Sequence, residues 1–295
     1  MEERKWEDMN SDCLVNIFGR LELKSKVLVI PLVCKPWYQA VHNPLCWERL
    51  IFPRTILGPR SQTELIKFFV NRSQRCATSL ALPDMCDRED LVYVSEECPD
   101  LKMLFLPYGV CLEHKDIIPN LIVKWKKLES LLLGCITCVK EILELIHIHL
   151  PSFICLCLTN GDVDGETASA IVSLIPNVKC LFINQAKLKK EDLLLILRGC
   201  KRLEYLDVRN CTGFDEGDDE ILRLASGIKN FQCDGSTAKD PLSFMHEFNE
   251  LVLQMDIEID LDFLDAIGGD DFQWDEYQCA CMFSVYACIY LTFLM

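Results

Sequence analysis

The sequence predicts an α/β chain: a small all-helical module at the N-terminus, then a short solenoid of strand–helix repeats with a parallel sheet on its concave side. Three observations point there. An apolar frame recurs through the middle of the chain, at Leu101/Leu104/Leu106, Leu128/Leu131/Leu133, Phe153/Leu156/Leu158, Val178/Leu181/Ile183 and Leu203/Leu206/Val208, with starts 27, 25, 25 and 25 residues apart. Stretches of helical periodicity fill the intervals, at 139–149, 166–174, 190–198 and 219–225. The first fifty residues show helical periodicity without that frame, with Leu14, Ile17, Phe18 and Leu21 on one stripe.

The N-terminal module comes first. Asn10 or Ser11 is the expected N-cap, because a side-chain oxygen there satisfies amides that a helix start leaves open. The chain then runs through Ile17-Phe18-Gly19-Arg20-Leu21, Val33-Cys34-Lys35-Pro36-Trp37 and Pro44-Leu45-Cys46-Trp47. About fifty residues bury little core alone, so an apolar stripe this large calls for cover from outside. That is the mark of a docking module. In order and spacing, the three stretches between Trp6 and Leu50 resemble an F-box, whose outline begins with Leu-Pro where this chain has Met9-Asn10. The resemblance implies docking on a Skp-type adaptor, and through it on a cullin–RING ligase. The contact would be formed or supported by Met9, Leu14, Ile17, Phe18, Leu21, Val33 and Trp37. Trp37 and Trp47 are the members expected to hold the small helices together, being large residues in a module with little core.

The repeats follow. Weaker copies of the frame extend it both ways, at Ala77/Leu80/Leu82 and Ile228/Phe231/Cys233, which makes seven. A period of roughly 20–29 with this frame is the signature of leucine-rich repeats, each too small to bury its leucines without neighbours. The stretch from Cys200 to Cys211 resembles the cysteine-containing repeat subtype common in F-box proteins, and Cys98-Pro99-Asp100-Leu101 and Leu133-Gly134-Cys135 carry parts of it. Together the two regions resemble plant-type F-box/leucine-rich-repeat proteins. The expected division is an F-box over 1–52, a solenoid over 53–238, a capping helix over 239–255, and an acidic linker with an apolar tail over 256–295.

Composition narrows the function. The 295-residue chain has a formal net charge of −15, against the basic face a nucleic-acid binder needs. Twelve acidic residues and no Lys or Arg lie between Asp240 and Glu276. The start is charged and lacks an apolar run, so no secretory signal is expected. The 18 cysteines then read as reduced thiols of a cytoplasmic or nuclear protein. Cys135-Ile136-Thr137-Cys138 has zinc-type spacing, but a closed site needs four ligands and no second such pair follows. His147 and His149 do not share a helical face. With no glycine-rich phosphate loop and no activated nucleophile in view, no catalytic residue, metal or cofactor is expected.

Strand alternation sets which residues face outward on the concave side. These are Met103 and Phe105, Ser130 and Leu132, Cys155 and Cys157, Cys180 and Phe182, then Tyr205, Asp207 and Arg209, and Asn230, Gln232 and Asp234. Phe105, Leu132, Cys157, Phe182, Tyr205, Asp207 and Arg209 form the expected substrate-facing set, with aromatic anchors beside charge. Tight curvature or the chain's own tail could equally cover the apolar strip, and the sequence leaves that open. Tyr277–Met295 is a 19-residue stretch without charge, long enough to span a bilayer. Its polar residues and acidic flank run against a membrane anchor. A segment packed on the solenoid and an unselected alternative C-terminus are the other readings, and the abrupt composition change favours the last.

The resemblance implies a substrate receptor of an SCF-type ubiquitin ligase. Such a receptor raises the effective concentration of substrate lysines near the conjugating enzyme and supplies no reactive group. The alternatives are a repeat scaffold outside any ligase and a small-molecule co-receptor. The short solenoid and the lack of a basic pocket weigh against the co-receptor.

Overall fold

The computed structural model describes Trp6 and residues 9–53, 56–57, 62–238 and 257–258. The expected capping helix at 239–255 and the tail from Tyr277 lie outside the described residues.

Three short helices open the chain: α1 (Ser11–Phe18), α2 (Leu23–Leu28) and α3 (Lys35–Val41), with 3-10 turns at Ile30–Leu32 and Pro44–Trp47. The Asn10 side chain accepts from the Asp12 amide at 2.7 Å, so capping starts α1 where a proline would otherwise preset the backbone. Pro31, Pro36 and Pro44 each sit in the first turn of their own segments, where a missing N–H is harmless.

Strands and helices then alternate. The order is β1 (Arg49–Ile51), β2 (Ile56–Leu57), α4 (Gln62–Arg72), β3 (Ser79–Ala81), α5 (Arg88–Glu97), β4 (Met103–Leu106), α6 (Tyr108–Glu113) and α7 (Ile118–Ile122). It continues with β5 (Ser130–Leu133), α8 (Val139–His149), β6 (Cys155–Val163), α9 (Gly165–Leu174), β7 (Cys180–Leu188) and α10 (Lys190–Gly199). The last are β8 (Tyr205–Asp207), α11 (Asp219–Ala225), β9 (Asn230–Gln232) and β10 (Ile257–Glu258). Eight strands make one parallel sheet in the order β1-β3-β4-β5-β6-β7-β8-β9, while β2 and β10 pair apart from it. Each sheet strand lies beside the preceding sheet strand, as a solenoid requires.

The apolar frame sets the register. Leu50, Leu80, Leu104, Leu131, Leu156, Leu181 and Leu206 are aligned across successive strands, and each is 0–1% exposed. Each fully buried leucine contributes about 1.5–3 kcal/mol relative to an exposed one. The helices supply the other wall: Val139, Ile142, Leu143 and Ile146 of α8 are buried at helical spacing. Asp87, Asp164 and Asp218 cap α5, α9 and α11 through side-chain bonds to the first-turn amides. Asn160, Gln185 and Asn210 take left-handed backbone, with φ of 55°, 52° and 56°, at the same place in three successive repeats. Asn suits that conformation and Gln does so less well.

The structure adds one strand to the seven frames. Trp47, Leu50 and Phe52 repeat the apolar frame and are 0–5% exposed, and β1 pairs in register with β3. The end of the helical module is therefore also the first strand of the sheet. In the sequence, Trp47 belongs to the closing motif of the N-terminal module, which hides its second role.

Candidate adaptor-docking surface and concave face

In α1 the 3.6-residue period divides the expected docking set. Leu14 and Phe18, one turn apart, are each 1% exposed and point into the helical core with Val15. Trp37 is also buried there, with its ring edge-on to Phe18 at 5.1 Å between centroids. Met9, Ile17, Leu21 and Val33 lie at the margin, partly buried and packed against the same core. Exposed Trp6 stands edge-on to Trp37 at 6.5 Å, and Leu45 is exposed as well. Three members of the set therefore build the module, and four remain open to a partner.

A buried cation beneath Trp47 had no signal in the sequence. Lys26 of α2 is 0% exposed, and its Nζ donates to the Cys46 carbonyl at 2.7 Å. The same ammonium lies 5.4 Å from the Trp47 ring centroid, and the Arg72 guanidinium of α4 lies 5.3 Å from it. Burial pushes Lys26 down to about 8, against the opposing influence of Cys46. The Trp47 indole N–H donates to the Val41 carbonyl at 2.8 Å. Trp47 thus ties α2, α3 and α4 together at the junction between the module and the sheet.

On the concave face, register aligns Ile51, Ala81, Phe105, Leu132, Cys157, Phe182, Asp207 and Gln232 in one row. Phe105, Leu132, Cys157 and Phe182 are half-buried, and Tyr205 in the neighbouring row is exposed. Asp207 differs from the others because its carboxylate is buried and fully engaged. Arg209 donates to it through Nε at 3.0 Å, Nη2 at 2.8 Å and the backbone amide at 3.1 Å, and Asn184 donates at 2.9 Å. Burial alone would raise this carboxyl, but these donors hold it below the usual carboxylate range. Asp207 therefore positions Arg209, whose side chain stays exposed.

Burial pushes the Cys157 thiol up to about 12 and Cys155 to about 11, the direction opposite to a nucleophile. Within the Cys135/Cys138 pair, Cys135 is buried and bonded to Thr137 Oγ1 at 2.9 Å. Cys111 Sγ donates to the Leu106 carbonyl at 3.3 Å, and the influence of Cys111 and Cys135 on each other raises the former and lowers the latter. Among the described residues no group of three or more His, Cys, Asp or Glu side chains is placed to hold a metal ion. His147 donates through Nδ1 to the Leu174 carbonyl at 2.7 Å, and His149 is exposed. No helix among the described residues is long and apolar enough to cross a membrane.

Comparison with known proteins fits this geometry. Residues 6–49 match the F-box domain. An F-box/LRR-repeat protein of Arabidopsis thaliana is 26% identical over 223 residues, covering 70% of this chain and 72% of the relative. The chain carries an F-box and is similar to F-box/LRR-repeat proteins. The F-box protein FBW2 of the same plant is 26% identical over 221 residues, or 71% of this chain and 69% of that protein. The putative F-box/LRR-repeat protein 19, also from Arabidopsis thaliana, is 25% identical over 260 residues, or 76% and 85%. The F-box match ends at Arg49, the first residue of β1. Docking module and repeat sheet are covalently and structurally continuous.

Proposed function

We propose that this chain is the substrate-recognition subunit of an SCF-type cullin–RING ubiquitin ligase. Its F-box docks on a Skp-type adaptor, and its concave sheet holds the protein to be ubiquitinated. The observation that carries the reading is the division of the F-box side chains. Leu14, Phe18 and Trp37 fill the module's own core, while Met9, Ile17, Leu21 and Val33 leave an apolar margin at its surface. Contact with the adaptor falls to that margin, and the buried residues support it from behind. The chain acts by proximity, holding a bound substrate near the charged conjugating enzyme, and contributes no reactive group. Fusion of the module to the sheet through β1 and Trp47 suits this role, because a fixed offset between the two surfaces preserves that effective concentration.

On the concave face, Tyr205 and Arg209 offer an exposed aromatic ring and a positioned guanidinium beside the half-buried row of Phe105, Leu132, Cys157 and Phe182. Residues of these types anchor protein interfaces. Purification of the tagged chain from plant cells tests the reading. Adaptor and cullin should accompany the wild type and be absent with Ile17→Asp. Their absence from both samples would refute the receptor role and leave a repeat scaffold outside any ligase.

A further inference from the structure

Three cysteines of the concave face lie at the centre of the solenoid. Cys155 begins β6 and Cys180 begins β7, and the two are direct partners in the parallel register. Neighbouring parallel strands run about 4.8 Å apart, within the Cα separation that a disulfide spans. Register partners point to the same face of a sheet, so the two thiols face the same way. Burial raises both thiols, and their mutual influence eases Cys180 down and pushes Cys155 further up. Both are half-buried, so small solutes reach them. Cys157 lies two residues along β6 in the adjacent row, opposite Phe182. A second neighbouring thiol pair among the described residues, Cys111 and Cys135, is 1% and 4% exposed and closed to solutes. Ser130 and Tyr205 continue the row of Cys155 and Cys180 on either side.

We propose that Cys155 and Cys180 form a reversible dithiol–disulfide site on the concave face, oxidised by hydroperoxides. The minor thiolate form of Cys180, a thiol that burial holds above its ordinary value, attacks one peroxide oxygen, the O–O bond breaks, and the departing alkoxide or hydroxide takes up a proton. Cys180 is left as a sulfenic acid. The Cys155 sulfur then attacks the Cys180 sulfur, the S–S bond forms, the S–O bond breaks, and hydroxide leaves with the Cys155 proton as water. The two thiols lose two electrons and two protons, and the peroxide gains both. A small dithiol reductant reverses the change by exchange through a mixed disulfide. In a reducing compartment such a bond is transient, as redox-sensing disulfides are. The site stands independently of adaptor binding.

The test uses the full reduced chain, treated with hydrogen peroxide, blocked with iodoacetamide and digested with trypsin for mass spectrometry. The expected product is peptide 141–179 joined to peptide 180–187, lighter by two hydrogen atoms than the pair and separated again by dithiothreitol. Cys155→Ser and Cys180→Ser should each abolish the link, Cys157→Ser should keep it, and circular dichroism checks that each variant folds. The proposal is overturned if Cys155 and Cys180 stay open to iodoacetamide after peroxide. It is equally overturned if Cys180 proceeds to sulfinic or sulfonic acid without a link, or if the link survives in folded Cys155→Ser. Should a serine variant fail to fold, the wild type and Cys157→Ser decide by whether the 141–179/180–187 product forms.

Discussion

In the solenoid, Leu80, Leu104, Leu131, Leu156, Leu181 and Leu206 stand in one register, and each does the same thing for its own repeat. In the F-box, neighbours within a single helix do different things: Leu14 and Phe18 are core, whereas Ile17 between them is marginal. The solenoid is held by a nearest-neighbour rule repeated along the chain, so position in the frame predicts role. The F-box is held by particular long-range meetings, such as Lys26 with the Cys46 carbonyl and Trp47 with Arg72. Position in sequence predicts such meetings poorly. The difference separates a region that can lengthen or shorten by whole repeats from one whose geometry is fixed residue by residue.

The two regions meet at Trp47, and the largest effect is expected there. Trp47→Ala removes a fully buried indole that contacts both, and should destabilise the chain by about 4 kcal/mol. Urea unfolding followed by two probes, one in each region, should show both moving together. If only the F-box probe moved, the junction would be a hinge and the two regions independent. Leu156→Ala, deep in the central repeat, should cost about 3 kcal/mol by the cavity it leaves. Adaptor affinity should nevertheless be unchanged wherever the variant remains folded, because the lost packing is confined to adjacent repeats.

Lys26 gives the F-box a pH signature of its own. Its folded-state value is lowered to about 8 from 10.5, so the unfolded chain binds more protons between those values. The destabilisation is present at neutral pH and is relieved as pH rises through that window. Wild type should therefore gain up to about 3 kcal/mol on Lys26→Met between pH 8 and pH 10.5, measured by paired denaturant titrations. A constant difference would mean that the ammonium is solvated. The solenoid's counterpart has the opposite sign. Asp207 is held below its ordinary 3.8, so its contribution is present above that value and lost as pH falls below it. Asp207→Asn should cost about 1–2 kcal/mol at neutral pH, and the difference should shrink in acid.

Much of the solenoid was legible because its signal is periodic. The helical stretches at 139–149 and 219–225 coincide with α8 and α11, and 166–174 and 190–198 fall within one residue of α9 and α10 at each end. β1 was less visible because its frame overlaps the closing F-box motif at Trp47. On the concave face, alternation leaves Asp207 exposed, whereas the structure sets it in the row of Phe182 and buries it. Its burial follows from Arg209 and Asn184 folding over it, which needs two strands in space. The surface role of Ile17 against the core role of Leu14 depends on where α3 crosses α1, and a helical stripe alone does not state that. Lys26 left no trace at all, since its partners lie 20 and more residues away and its sequence neighbours are ordinary.

In the proposed receptor, the open margin of the F-box, and not its filled core, meets the adaptor. Calorimetric titration of a purified Skp-type adaptor into the chain tests this most directly, with wild type, Ile17→Asp and Leu14→Ala compared below their melting temperatures. Ile17→Asp should keep the wild-type melting temperature and lose binding, while Leu14→Ala should melt earlier and still bind. Undiminished binding by Ile17→Asp, or no binding by the wild type, would contradict it.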